Sequence, residues 1–102
     1  MRKLFRERLE KGMQGTDVAA LQGFLLGADF VVDDGLVPHG QYGKKTVSSV
    51  KELRVQAGLE AEEGQFDLRL KEKLKKGVTG ILPIDFDSFT IETEGSVYYA
   101  DH

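Results

Sequence analysis

The chain has 102 residues, of which 40% are hydrophobic and 30% charged, the make-up of one globular domain with a modest core. It contains no cysteine, which excludes a disulfide framework and a thiolate zinc site. The net charge of −3 is unevenly spread: 14 basic against 12 acidic residues leave +2 up to Lys76, and everything after Lys76 carries −5. So mild a balance, with no stripe of clustered basic residues, points away from a nucleic-acid partner.

The charged start, Met1-Arg2-Lys3-Leu4-Phe5-Arg6-Glu7-Arg8, is followed by no apolar run, so neither a signal peptide nor a membrane span is expected. Residues 1–11 form an N-terminal arm, and Phe5 and Leu9, four apart, have the spacing of a short helix. Gly12-Met13-Gln14-Gly15 interrupts it. Thr16 is then placed as an N-cap and Asp17 in a first helical turn. Val18, Leu21 and Leu25 keep helical spacing, with Phe24 and Leu26 widening the face, until Gly27.

Next comes the stretch on which the chain is organised, Asp33-Asp34-Gly35 through Tyr42-Gly43-Lys44-Lys45-Thr46. Its echo is Glu63-Gly64-Gln65-Phe66-Asp67. Both read acidic residue, glycine, aromatic, cap, helix. Gly35 and Gly64 permit a turn with positive φ, Tyr42 and Phe66 anchor the loop by burying a ring, and Gly43 and Asp67 stand at N-cap positions. The first device opens a helix from about Lys44 to Ala57, with Val47, Val50, Leu53 and Ala57 on one face and Gly58 as its stop. The second opens a helix from about Leu68 to Lys76, with Leu70 and Leu74 inward, Lys71, Lys73, Lys75 and Lys76 in water, and Gly77 as its end.

Residues 78–102 change style. Phe89, Ile91 and Thr93 alternate with polar neighbours, as do Val97 and Tyr99, and Glu94-Gly95 lies between them as a hairpin turn. A lone hairpin is marginal in water. This acidic extension is therefore expected to dock on the helices, pair with another chain, or stay disordered.

From Leu9 to Leu74 the chain resembles the peptidoglycan-binding domain family, the small three-helix modules of wall hydrolases, spore-germination lytic enzymes and phage endolysins. The residues that carry the likeness are Gly12, Gly15, Val18, Leu21-Gln22, Leu25 and Phe30, then Asp34-Gly35, Tyr42-Gly43, Thr46 and Val50, then Gly58-Leu59, Gly64, Phe66 and Leu74. The chain departs from the family at Asp29, where glycine is usual, at a Val37–Gln41 insertion, at Leu53-Arg54 in place of an aromatic-Gln pair, and at Asp67 and Leu70. The resemblance implies a mainly α fold, a three-helix bundle over residues 12–77 with two loop-to-helix repeats, plus a short β-hairpin-like extension over 78–102.

It also implies non-catalytic binding of cell-wall peptidoglycan, through glycan or stem peptide, with no cofactor. Asp34, Tyr42, Lys45, Arg54 and Gln65 are the candidate ligand-binding residues. Four of the five also have a plain structural reading: Tyr42 as loop anchor, Lys45 and Arg54 as solvated helix residues, Asp34 as a turn residue. The only histidines are His39 and His102, so no metal cluster or nucleophile triad is evident. No catalytic residue and no metal ligand is therefore expected. The alternative function is a structural part of a phage tail, baseplate or injection assembly that docks to a protein partner through residues 78–102. Either way the expected location is the cell wall or a virion, after synthesis in the cytoplasm.

Overall fold

The computed structural model describes residues 2–4, 6–33, 40–86, 90–92 and 97–98. Among the described residues the fold is mainly α, with three helices: α1 (Thr16–Gly27), α2 (Lys44–Gln56) and α3 (Leu68–Lys76). Each buries the face that its apolar spacing marks. Val18, Leu21 and Leu25 of α1, Val50 and Leu53 of α2, and Leu70 and Leu74 of α3 meet in one core with Leu9, Val32, Tyr42, Phe66 and Phe86.

The helix stops follow from local chemistry. After α2, Leu59 N–H donates to Arg54 O at 2.8 Å and Gly58 N–H to Val55 O at 3.0 Å, with Gly58 at φ 86°. That paired pattern satisfies the last carbonyls and needs a left-handed residue. The same pattern closes α1, where Phe30 N–H donates to Leu25 O at 2.8 Å and Asp29 N–H to Leu26 O at 3.1 Å. Asp29, at φ 68°, takes the left-handed place that glycine would fill without strain.

Both loop devices anchor as their sequences suggest, and the second also turns at its glycine. Tyr42 and Phe66 are buried, Gly64 has φ 72°, and Asp67 caps α3 by accepting from Leu70 N–H at 3.1 Å. Gly35 lies outside the described residues. The devices stand side by side: the Tyr42 hydroxyl of the first donates to the Gly64 carbonyl of the second. The segment Leu9–Gly15 laces them together. Leu9 pairs with Phe66 at 2.9 and 2.8 Å, Gly12 N–H donates to Tyr42 O at 3.0 Å, and Gly15 N–H to Gly40 O at 3.0 Å.

Three sequence expectations are corrected. Thr16 is the first helical residue rather than the cap; Gly15 holds the cap position and α1 has no side-chain cap bond. The N-terminal arm is not helical where it is described: Arg2–Leu4 is a strand, β1, and Leu9 bridges to Phe66. Sheet pairing satisfies its backbone where a short isolated helix would not. Lys71 is not in water. It is buried beneath the arm, and its Nζ donates to Arg6 O at 2.7 Å.

The core continues past α3. Ile84 N–H donates to Leu74 O at 3.0 Å, and the buried Phe86 ring stands edge-on to Phe66 and Phe24 at centroid distances of 4.8 and 5.2 Å. Beyond it, β2 (Thr90–Glu92) pairs antiparallel with β1 on one side and with β3 (Val97–Tyr98) on the other. The Glu94-Gly95 turn and Tyr99 lie outside the described residues.

Candidate binding face

Of the five candidate ligand residues, Asp34 lies outside the described residues. Tyr42 is 2% exposed and its hydroxyl is committed to the second loop. Burial pushes its pKa well up; the nearby Arg54 charge pulls it down, and Asp67 and Glu10 raise it further. Tyr42 is the loop anchor of its structural reading.

Arg54 is 1% exposed, so it is not a solvated helix residue. Its Nε donates to Glu60 O at 2.7 Å and its Nη1 to Gln65 O at 3.0 Å. Glu62 and Asp67 carboxylates lie 3.2 and 3.1 Å from its Nη2 and Nη1. The planar, many-donor guanidinium suits this task of gathering the carbonyls and carboxylates of one loop. Gln65 is half-buried, and its side-chain Oε1 is buried without a hydrogen-bond partner. Lys45 is exposed at the start of α2. The structure thus gathers Arg54 and Gln65 at the second loop, while Lys45 stands at the first.

Two polar residues that sequence reasoning did not single out organise the first loop. Asp33 accepts from Gly43 N–H at 3.1 Å, Lys45 N–H at 3.2 Å, Thr46 N–H at 3.1 Å and Thr46 Oγ1 at 2.7 Å. It caps α2 from ten residues away. Burial pushes its carboxyl up, but these hydrogen bonds outweigh that and hold its pKa below the ordinary value. Gly43 makes room for it: a Cβ there would lie 2.6 Å from Asp33 Oδ1. Gln22, fully buried, donates to Gln41 O at 2.7 Å and Thr46 Oγ1 at 3.1 Å, and accepts from Gly40 N–H at 2.9 Å. The Asp33-Asp34 pair and the Leu-Gln motif were visible in the sequence, but neither names a partner.

A third polar knot ties down the N-terminal arm. Arg6 grips Asp17 with Nε at 2.7 Å and Nη2 at 2.8 Å, and Nη2 also reaches Gln14 O at 2.6 Å. Burial pushes the Asp17 carboxyl up, and the bonds from Arg6 and Val18 N–H more than reverse it.

These knots leave an exposed face along the outside of the first loop. A groove of about 350 Å³ is lined by Lys11, Lys44, Val47, Ser48 and Lys51. Beside it, a hollow of about 220 Å³ is lined by Gly12, Met13, Gln14, Gln41, Tyr42 and Gly43. A larger hollow of about 500 Å³ between α1 and residues 80–84 has Phe24, Ile81, Leu82 and Pro83 in its walls and no charged side chain. Among the described residues, no group of three or more His, Cys, Asp or Glu is placed to hold a metal ion, and no helix is long and apolar enough to cross a membrane.

No protein-family model matches the chain, and a search of curated proteins finds no match either.

Proposed function

We propose that this chain is a non-catalytic binding module for bacterial cell-wall peptidoglycan. The observation that carries the reading is the work done by the residues of the resemblance. Val18, Leu21 and Phe66 fill the core, Gln22 and Thr46 fasten the first loop, Gly43 admits Asp33, and Gly58-Leu59 ends α2. The shared positions therefore form one connected framework, which supports a likeness of whole folding plan rather than of scattered residues. Wall polymer would lie on the exposed face beside Tyr42, Gly43 and α2, with the exposed Lys45 as a candidate contact; Asp34, the other candidate contact, lies outside the described residues. Tyr42 and Arg54 act from beneath by holding the two loops in place, and Gln65 belongs to the loop that Arg54 holds.

Co-sedimentation of the full chain with insoluble sacculi tests the proposal. Saturable transfer to the pellet, with no soluble fragments released from the wall, is expected. A chain that stays in the supernatant over sacculi that pellet a wall-binding control would overturn it.

A second reading, docking in a phage tail or injection assembly, is favoured by one observation. In the strand order β1-β2-β3, both β1 and β3 are edges among the described residues, able to accept a further strand. Under that reading Val97→Pro abolishes partner binding while sedimentation with sacculi persists.

A further inference from the structure

We infer that the groove formed by Lys11, Lys44 and Lys51 reads the carboxylates of the wall's stem peptides; this rests on the peptidoglycan-binding reading above. Lys44, Val47, Ser48 and Lys51 share one face of α2, and Lys11 approaches from the segment that laces the two loops. Backbone pairing fixes that approach, through Gly12 N–H to Tyr42 O at 3.0 Å and Tyr42 N–H to Met13 O at 3.0 Å. Among the described residues, no carboxylate forms an ion pair with any of the three lysines; Arg6, Arg8, Arg54 and Lys75 have acidic partners, while Lys45, Arg69, Lys73 and Lys76 also have none but do not line this groove. Three unneutralised ammonium groups around a small apolar floor are complementary to an anionic ligand with short side chains.

The chemistry favours peptide over sugar. Sugar rings are held by stacking on exposed aromatic faces, and the aromatic ring at this face, Tyr42, is buried. Val47 offers a floor for alanine methyl groups, and Ser48 a hydroxyl. Lys44 and Lys51 are seven residues apart on the helix, roughly 10 Å along its axis. That matches carboxylates about three residues apart on an extended peptide. At about 350 Å³ the groove is at the small end of ligand sites, the size of a few residues rather than a polymer.

The test uses the full chain and sacculi stripped of phosphate-bearing polymers, either native or with their carboxyls amidated. A triple variant, Lys11→Gln, Lys44→Gln and Lys51→Gln, is compared with Lys73→Gln, Lys75→Gln and Lys76→Gln at the end of α3, which removes equal charge. The groove variant is expected to bind native sacculi at least tenfold more weakly while melting as the parent does. The α3 variant should change by less than twofold. Amidated sacculi should weaken the parent chain as the groove substitutions do. Undiminished binding by the groove variant, or by the parent on amidated sacculi, overturns the carboxylate assignment and leaves wall binding standing. Binding that appears only on wall retaining its phosphate polymers also overturns it. No binding by the parent to any wall preparation removes both proposals together.

Discussion

Arg54 Nη1 stands 3.1 Å from the carboxylate of Asp67, the residue that caps α3. One buried guanidinium on α2 thereby positions the start of the next helix and, through Glu60 O and Gln65 O, the loop between them.

Arg54→Ala should therefore lower stability by about 3 kcal/mol or more, since two carbonyls lose their donor at about 1–3 kcal/mol each and packing is lost as well. Arg54→Lys should recover little, because one ammonium does not reproduce the spread of a guanidinium. Urea unfolding of the three proteins checks this; a lysine variant as stable as the parent would contradict it.

Phe86 belongs to the core although it lies ten residues past the end of α3. Phe86→Ala should cost about 3–5 kcal/mol. A chain ended after Gly77 should lose at least as much, so loss of binding by that fragment would report on folding first. Thermal melts of both variants, set beside the full chain, give the measurement.

The pH dependence follows from Asp17 and Asp33. Both carboxyls have pKa values held below the ordinary 3.8 in the folded state. Their contribution is thus fully present above that value and is lost as pH falls through the lower folded values. Stability should hold level from neutral pH to about 5 and fall below about 4. Asp17→Asn and Asp33→Asn should each lower stability at neutral pH and make the acid fall shallower. Unfolding midpoints between pH 2 and 7 test the sign.

Gly43 and Asp33 should behave as one unit. Gly43→Ala brings a Cβ within 2.6 Å of the Asp33 carboxylate and should cost about 1–3 kcal/mol. Asp33→Ala removes the cap of α2 at about 1–2 kcal/mol. The double variant should cost clearly less than the sum, since the clash has no partner once the carboxylate is gone. Simple additivity would contradict the close contact.

The helices were legible in the sequence because their signals are local. Val18, Leu21 and Leu25 mark a face, Gly58 and Gly77 mark ends, and Asp67 marks a start, each within a turn or two of what it governs. Arg54, Lys71, Asp33 and Gln22 were not legible, because their partners lie outside their own element: Arg54 meets Glu60 across 6 residues, Lys71 meets Arg6 across 65 and Gln22 meets Thr46 across 24. Residue type alone places a lysine or arginine in water, and only the fold brings carbonyls to it. For the same reason the candidate site was legible in part. The first loop and its anchor Tyr42 stood out, but Arg54, the buried support of the second loop, was indistinguishable in sequence from a solvated helix residue.

The most direct test of the account is a ¹H–¹⁵N NMR titration of the full chain with soluble muropeptides released from sacculi. Binding at the exposed face predicts saturable shifts that cluster at residues 11–14 and 41–51, with the buried residues of α3 unmoved. No shifts at saturating muropeptide, or shifts confined to residues 78–102, would contradict it.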